Sequence, residues 1–377
     1  MKVMIACGGT GGHLFPGLAV AEVLTTRQHE VMLLVSEKAV DQTALTTLTA
    51  CSDPSRVEVQ AVSAVGYGGA RQLIRFCWCL ARSTKDCANV CSDFKPDVVL
   101  GMGGFTSAPA VLAARWQRTR TLIHESNAVP GKANRWVGRF VDHVAVGMVD
   151  CARFFGRKPV TVTGTPIRAT LRRGKAADAR DQLGLDRGRL TVLVMGGSQG
   201  AHAINEAMTC ALPWLDDWRE RTQFVHLSGT NEESVLREAY ENNRMTAKVM
   251  SFCNQMELAY SAADLVIGRA GAATLTEVAV FGLPSILIPF PHAAGDHQRH
   301  NAHVFERAGA AWLVEQSQLS GLHTERGALL AEAVSGLLSD DVQRGRMAAA
   351  ARSLAVANAE ERIVTLIERY ADQTTID

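Results

Sequence analysis

The chain has almost no charge of one sign to spare. Its 39 Lys and Arg residues meet 38 Asp and Glu, for a formal net charge of +1. That balance offers no general attraction to nucleic acid, and none is expected as a partner. Long apolar runs are missing too: none approaches the roughly 18 residues of a membrane-spanning helix. No secretory leader is expected, because MKVMIACGG reads as a strand running into a glycine turn, without an apolar core and cleavage site. The nine cysteines are scattered, odd in number and include no Cys-x-x-Cys. They fit reduced thiols in a cytoplasmic protein better than a disulfide framework or a zinc site. No glycine loop ends in Gly-Lys-Ser/Thr, so a Walker loop is excluded. No Asp-x-Asp occurs, so no obvious divalent-metal clamp for a diphosphate is present.

What is there is globular: 377 residues, 47% hydrophobic and 20% charged. That length is too great for one ordinary core and predicts two domains. Strands are expected at 2–6, 31–35, 57–62, 98–101, 121–124, 144–146 and 160–163. A second series follows at 190–195, 223–227, 247–251, 265–267, 285–288 and 311–314. Near-continuous apolar strands separated by helices read as parallel sheet covered on both faces. The series restarts after a polar, basic, Gly/Pro-punctuated stretch at 164–188, which reads as a linker between two doubly wound α/β domains. The expected division is 1–164 and 165–357. The tail is helical, and its last helix, within 358–377, is expected to return to the first domain through Ile363, Leu366, Ile367 and Tyr370.

The segment 268–301, GRAGAATLTEVAVFGLPSILIPFPHAAGDHQRHN, is the most informative. The strand Leu265-Val266-Ile267 turns on Gly268 and Gly271 and enters a short helix that stops at Gly282-Leu283-Pro284. Unpaired N–H groups at a helix start make an anion site. Glu277, in the first turns, would repel a phosphate, yet a carboxylate can accept two hydrogen bonds from a sugar diol. Phosphate at the turn and ribose at Glu277 together point to a nucleotide diphosphate. Thr274-x-x-Glu277 before an apolar run is equally a capping-box pattern, and both readings stand at this stage.

Each half opens on a strand ending in glycines, CGGTGGH at 7–13 and GGSQGA at 196–201, and a third loop, GMGGF, lies at 101–105. Glycines after a parallel strand let backbone N–H groups approach a phosphate. A dinucleotide fold is the competitor. Gly9-Thr10-Gly11 begins its G-x-G-x-x-G pattern and Glu37 stands where a ribose is bound, but the third glycine falls at Leu14.

In order from Val3 to about Ala311, GGTGGHLFPGLAVAEVL, GMGGFTSAPAVLAA, HESNAVPGKANRW, GTPIR, GGSQGAHAIN and GRAGAATLTEVAVFGLPSILIPFPHAAGDHQRHNA closely resemble the signature segments of the MurG family. The resemblance implies a GT-B fold, two Rossmann-like doubly wound parallel-sheet domains with an interdomain cleft. It implies a UDP-N-acetylglucosamine-dependent transferase that converts lipid I to lipid II in peptidoglycan synthesis, by inverting transfer to the C4 hydroxyl of the muramoyl sugar. The first domain would take the acceptor and face the membrane, and the second would take the UDP-sugar. Thr10, Gly11 and Gly12 would border the transferred sugar, and Gly9, Gly103, Gly104 and Phe105 the acceptor diphosphate. Asn127 would touch the donor sugar, Arg168 and Ser198 the donor phosphates, and the backbone at Cys253 the uracil edge. Ala272, Ala273, Thr274, Leu275, Thr276 and Glu277 would hold diphosphate and ribose, and Gln298 the N-acetylglucosamine hydroxyls. No cofactor is implied. The expected location is peripheral, on the cytoplasmic face of the plasma (inner) membrane, beside other cell-wall synthesis and division proteins. Ser126, Phe105, Thr165 and the strip 297–300 depart from the family's usual residues, which bears on acceptor and sugar selectivity.

The general base stays open among His13, in the first glycine loop, and the rivals His124 and Glu125 after a strand. His292, His297, His300 and His303 have helical metal-ligand spacing, but only Asp296 accompanies them, and no metal is expected.

GARQLIRFCWCLARSTK at 69–85 puts Leu73, Phe76, Cys77 and Leu80 on one helical face. Ile74 and Trp78 form the next stripe, with Arg71, Arg75 and Arg82 alongside. This suits a helix lying on an anionic bilayer surface, with Trp116 as an extension. It equally suits a helix packed on the sheet with an arginine edge. A UDP-sugar 2-epimerase-type isomerase and a non-enzymatic UDP-sugar-binding subunit are the alternative functions.

Overall fold

The computed structural model describes residues 1–8, 11–36, 54–62, 73–197, 200–319 and 323–372; for residues 11, 54, 73, 105, 106 and 323–326 it describes the backbone alone. The chain forms two compact units, Met1–Ala169 with Val356–Asp377, and Thr170–Ala355.

In the first unit the order is β1 (Lys2–Ala6), α1 (Gly11–Thr26), β2 (Glu30–Ser36), β3 (Val57–Val62), α2 (Leu73–Phe94), β4 (Val98–Gly101), α3 (Gly104–Trp116), β5 (Arg120–Glu125), α4 (Lys132–Val137), β6 (His143–Val146) and β7 (Val160–Val162). These strands form one sheet in the order β3-β2-β1-β4-β5-β6-β7, every pair parallel. The apolar run of β1 serves both faces, since successive side chains alternate. Val3 and Ile5 join a core with Leu14, Leu18 and Leu24 of α1. Met4 and Ala6 join another with Cys87, Cys91 and Phe94 of α2 and Ala110, Ala113 and Ala114 of α3.

In the second unit the order is α5 (Ala176–Leu183), β8 (Leu190–Met195), α6 (His202–Ala211), β9 (Thr222–Leu227), α7 (Glu233–Asn242), β10 (Thr246–Met250), α8 (Met256–Ala262), β11 (Leu265–Gly268), α9 (Ala272–Phe281), β12 (Ser285–Leu287), α10 (His297–Arg307) and β13 (Ala311–Leu313). Two tail helices, α11 (His323–Ser339) and α12 (Asp341–Leu354), complete it. The sheet order is β10-β9-β8-β11-β12-β13, again all parallel. This 3-2-1-4-5-6 arrangement is Rossmann-like, and its switch point lies between β8 and β11, where ligands bind at the carboxyl ends.

The last helix, α13 (Ala359–Asp372), belongs to the first unit. Its buried stripe Ile363, Val364 and Ile367 shares the core of Leu14 and Leu18. Arg27 pairs with Glu361 and Glu368, and the Tyr370 hydroxyl lies 3.0 Å from His143 Nδ1.

Candidate active site

At the carboxyl edge of the first sheet, two glycine loops meet around a histidine. Gly103 has φ +110 and Gly104 φ +74, conformations that side chains rarely adopt. A Cβ on Gly103 would lie 2.9 Å from His13 Nε2, and one on Gly104 3.4 Å from Nδ1. The imidazole therefore lies against bare backbone: both glycines are needed for their backbone shape, and Gly103 for space as well. Gly11 and Gly12 open α1 beside it. Arg168 stacks its guanidinium over Phe15, two residues beyond His13, at 4.8 Å. Gly9, Thr10 and Glu37, and the side chain of Phe105, lie outside the described residues.

Glu125 and His124 are both held by hydrogen bonds within the first unit. Glu125 is 3% exposed. Its Oε1 accepts from the Asn127 backbone N–H (3.0 Å) and side-chain amide (2.8 Å). Its Oε2 accepts from the Gly131 N–H and the Asn134 amide, both at 3.0 Å. Four donors on one carboxylate make it the clamp of the 127–134 loop. Asn127 is part of that clamp. His124 is fully buried, with Nε2 2.9 Å from the Gly164 carbonyl. Burial lowers its pKa, so it stays neutral and donates from Nε2.

The second unit offers a contrasting site. Helix α9 is capped by Gly271 with no side-chain cap, and its first turn holds no acid. Its first intrahelical bond runs from Leu275 N–H to the Gly271 carbonyl at 2.9 Å. The N–H groups of Ala272, Ala273 and Thr274 precede that bond and point out of the helix start, as helix geometry requires. The capping-box reading fails here, because Thr274 lies inside the helix rather than at its cap. Leu275 is fully buried, and the Thr276 hydroxyl turns back to the Ala272 carbonyl at 2.9 Å. These two side chains therefore shape the helix, which leaves backbone as what they offer a ligand. Glu277, half-buried, accepts a hydrogen bond from the Tyr260 hydroxyl at 2.7 Å. Gly282 ends the helix at φ +60, where a Cβ would strike Arg352 Cγ at 2.4 Å.

Arg269 is the residue that sequence reasoning passed over. It is 8% exposed, donates to the Ile288 and Pro289 carbonyls at 3.0 and 3.2 Å, and lies 5.4 Å beneath the Phe290 ring. Among the described residues no carboxylate pairs with it. Burial lowers its pKa, the mark of a cation short of counter-charge. Two residues before the α9 cap, it adds positive potential to the open helix start. The only sequence signal was its place inside the glycine turn. Gln298 does not stand alone either: its Oε1 accepts from the Phe290 N–H at 3.0 Å. Cys253 is buried, and burial raises its thiol pKa, which leaves its backbone as the group of interest. Ser198 lies outside the described residues. His297 Nδ1 lies 2.6 Å from the Ala294 carbonyl, and His303 pairs with Glu306 at 2.8 Å.

On α2 the exposed stripe is Ile74 (88%) and Trp78 (62%), with Arg82 stacked on Trp78 at 5.6 Å. Arg75 is exposed, whereas Phe76 and Leu80 are half-buried. Arg71 and the Leu73 side chain lie outside the described residues. Trp116 is 77% exposed but does not extend this stripe. The neighbouring Gln117 bonds to Ser92 on α2 at 2.9 Å. Ser92 is fourteen residues past Trp78, about 20 Å along a helix. A second exposed group, missed in the sequence, is the edge-on pair Trp136 and Phe140, beside Phe154 with Arg135 and Arg153 over its ring. Among the described residues no helix is long and apolar enough to cross a membrane.

An open helix start after a parallel strand, a buried cation beside it and an acid one turn further in suit a nucleoside diphosphate, and a histidine set in a glycine turn suits a proton acceptor. The class so defined is that of sugar-nucleotide glycosyltransferases with two Rossmann-like domains. Residues 3–146 match the glycosyltransferase family 28 N-terminal domain and residues 191–363 its C-terminal domain. Over 372 residues, 97% of each chain, the protein is 37% identical to the UDP-N-acetylglucosamine--N-acetylmuramyl-(pentapeptide) pyrophosphoryl-undecaprenol N-acetylglucosamine transferase of Geobacter sulfurreducens. The crystal structure of Acinetobacter baumannii MurG matches with a TM-score of 0.77 at 29% identity, over 98% of this chain and 99% of that one. A UDP-GlcNAc 2-epimerase from Neisseria meningitidis, with a TM-score of 0.66 at 14% identity over 98% and 100% of the chains, shares the fold alone. The chain belongs to the MurG family of glycosyltransferases.

Proposed function

We propose that this protein transfers N-acetylglucosamine from UDP-N-acetylglucosamine to the C4 hydroxyl of the muramoyl sugar of lipid I, with inversion, to give lipid II. The observation that carries the donor half of this reading is the uncapped start of α9 beside the uncompensated Arg269. The diphosphate meets the N–H groups of Ala272 to Thr274, and the ribose hydroxyls meet Glu277, which Tyr260 already orients. The uracil edge is read by backbone at Cys253, and the sugar hydroxyls by Gln298 and Asn127. The acceptor belongs to the first unit, with its diphosphate at Gly9, Gly103, Gly104 and Phe105.

In the reaction the acceptor O4 attacks the anomeric carbon, the bond from that carbon to the β-phosphate oxygen breaks, and His13 takes the O4 proton. Charge growing on the leaving UDP is stabilised by the helix start, Arg269 and Arg168, fixed donors aimed at a developing anion. Glu125 acts through position: it holds the loop that carries Asn127.

The acceptor's lipid tail calls for a membrane-docked enzyme. Ile74 and Trp78, ringed by Arg75 and Arg82, suit the anionic surface of the inner leaflet, and Trp136 and Phe140 with their arginines add to it. Docking there, beside other wall-building and division proteins, ties the activity to wall growth and cell shape. An Ile74→Glu, Trp78→Glu double variant is expected to lose most binding to cardiolipin-rich vesicles in a sedimentation assay; retained binding refutes the seat on α2.

The test of the reaction supplies radiolabelled UDP-N-acetylglucosamine with a short-chain lipid I analogue. A labelled disaccharide-lipid is the expected product. Epimerised UDP-sugar formed without acceptor would overturn the reading in favour of an isomerase.

A further inference from the structure

The second unit contains a buried histidine that the reaction above does not use. His226, on β9, is fully buried. Its Nδ1 lies 3.0 Å from the Tyr240 hydroxyl and its Nε2 3.0 Å from Asn205 Oδ1. The Asn205 amide is already committed as a donor, to the Ser228 carbonyl at 2.8 Å and to Glu232, which also pairs with His202. Asn205 Oδ1 is then an acceptor, so His226 carries its proton on Nε2 and takes a hydrogen bond from Tyr240 on Nδ1. Burial pushes the His226 pKa down to about 3 and the Tyr240 phenol upward. Neither group therefore changes protonation state near neutrality. Donors run in one direction, from Tyr240 to His226, to Asn205, to the Ser228 backbone.

That last link reaches the carboxyl edge of the sheet. A Cβ on Gly200 (φ +76) would lie 2.4 Å from the Ser228 carbonyl oxygen, so the glycine turn after β8 rests directly on the loop after β9. Ser228 N–H donates to the Met250 carbonyl at 2.9 Å and Gly229 N–H to Ser251 at 3.1 Å. These tie the same loop to the strand that leads into Cys253. Three consecutive loops thus take their height from one peptide, and that peptide hangs on Asn205.

We propose that His226 is a positioning residue for the sugar nucleotide. By fixing Asn205 it sets the spacing of the loops after β8, β9 and β10, which carry the phosphate and uracil contacts. The inference rests on the reading that this unit binds UDP-N-acetylglucosamine. An apolar residue at 226 would leave Asn205 Oδ1 and the Tyr240 hydroxyl buried without partners, and the loops would settle elsewhere.

Steady-state kinetics with the short-chain acceptor test it, in the full chain, with circular dichroism confirming the fold. His226→Leu is expected to raise KM for UDP-N-acetylglucosamine about tenfold, with kcat within about twofold and the acceptor KM unchanged. His226→Gln, whose amide reproduces the Nε2–H donor, is expected to recover most of that loss. Tyr240→Phe, which removes only the far bond, keeps the test alive if His226→Leu does not fold, and should raise the same KM about two- to threefold. Unchanged donor KM in the folded variants, or an equal loss in kcat and acceptor binding, overturns the inference. Failure of the wild type to bind UDP by calorimetry would instead sink the donor-site reading itself.

Discussion

The carboxyl edges of the two sheets solve opposite electrostatic problems. In the first, the acid is fully engaged: Glu125 faces four donors, and Arg168 lies on the ring of Phe15. In the second, the N–H groups at the start of α9 point outward, and buried Arg269 has, among the described residues, carbonyls and Phe290 but no carboxylate as partners. One edge is finished and holds a shape. The other keeps an uncapped helix start and a buried cation short of counter-charge. A preformed site can keep positive potential only where the fold tolerates an incomplete ion pair, and that tolerance marks where ligand charge belongs.

The comparison breaks most visibly at Glu125. Glu125→Gln places an amide against Asn127, Gly131 and Asn134, and should cost ~2–4 kcal/mol of stability in urea denaturation, while UDP affinity by calorimetry stays near wild type. Equal losses in both measurements would mean that the two edges are not independent. Glu277→Ala should do the reverse, weakening UDP-sugar binding by about 1.5–3 kcal/mol with little change in stability; unaltered UDP affinity removes the ribose role. Arg269→Met should weaken UDP binding about tenfold and leave the protein as stable as before or more so, because an unpaired buried cation has gone. A marked loss of stability would show that the arginine serves the fold instead.

A further effect concerns acid. His226 has a folded pKa of about 3, and burial also lowers His124, both below the ~6.5 of an unfolded chain. The unfolded state therefore binds their protons first as pH falls. Their contribution is present above pH 6.5 and is progressively lost below it, for His226 at ~1.4 kcal/mol per pH unit. Urea midpoints at pH 5 and pH 7 should converge for His226→Gln more than for wild type.

Much of the fold was legible because its signals are local. Val3 to Ala6 alternate between two cores, which is what a near-continuous apolar run in a parallel sheet implies. The helix start after Gly271 was legible for the same reason. Even so, β10 begins at Thr246 and ends at Met250, one residue before the apolar pattern suggested, because Thr246 pairs with Gln223 in the ladder. Partnerships were not legible. Nothing around Glu125 in the sequence says that donors at 127, 131 and 134 converge on it, nor that among the described residues no acid pairs with Arg269. The capping-box alternative stayed open in the sequence because Thr274 and Glu277 have the right spacing, while the exit from β11 gives the cap to Gly271. Trp116 looked like a companion of Trp78 until Gln117 fixed its level on α2.

The return of α13 to the first unit also has a consequence for biosynthesis. Leu14 and Leu18 are covered by Ile363 and Ile367, residues that leave the ribosome only after the whole second unit has been made. The amino-terminal sheet must wait, with one greasy flank bare, for the last helix to emerge. A fragment cut near Ala169 would keep that flank exposed and be prone to clump. Separating the halves cleanly calls for a circular permutation that rejoins the final helix to the first strand, rather than for truncation.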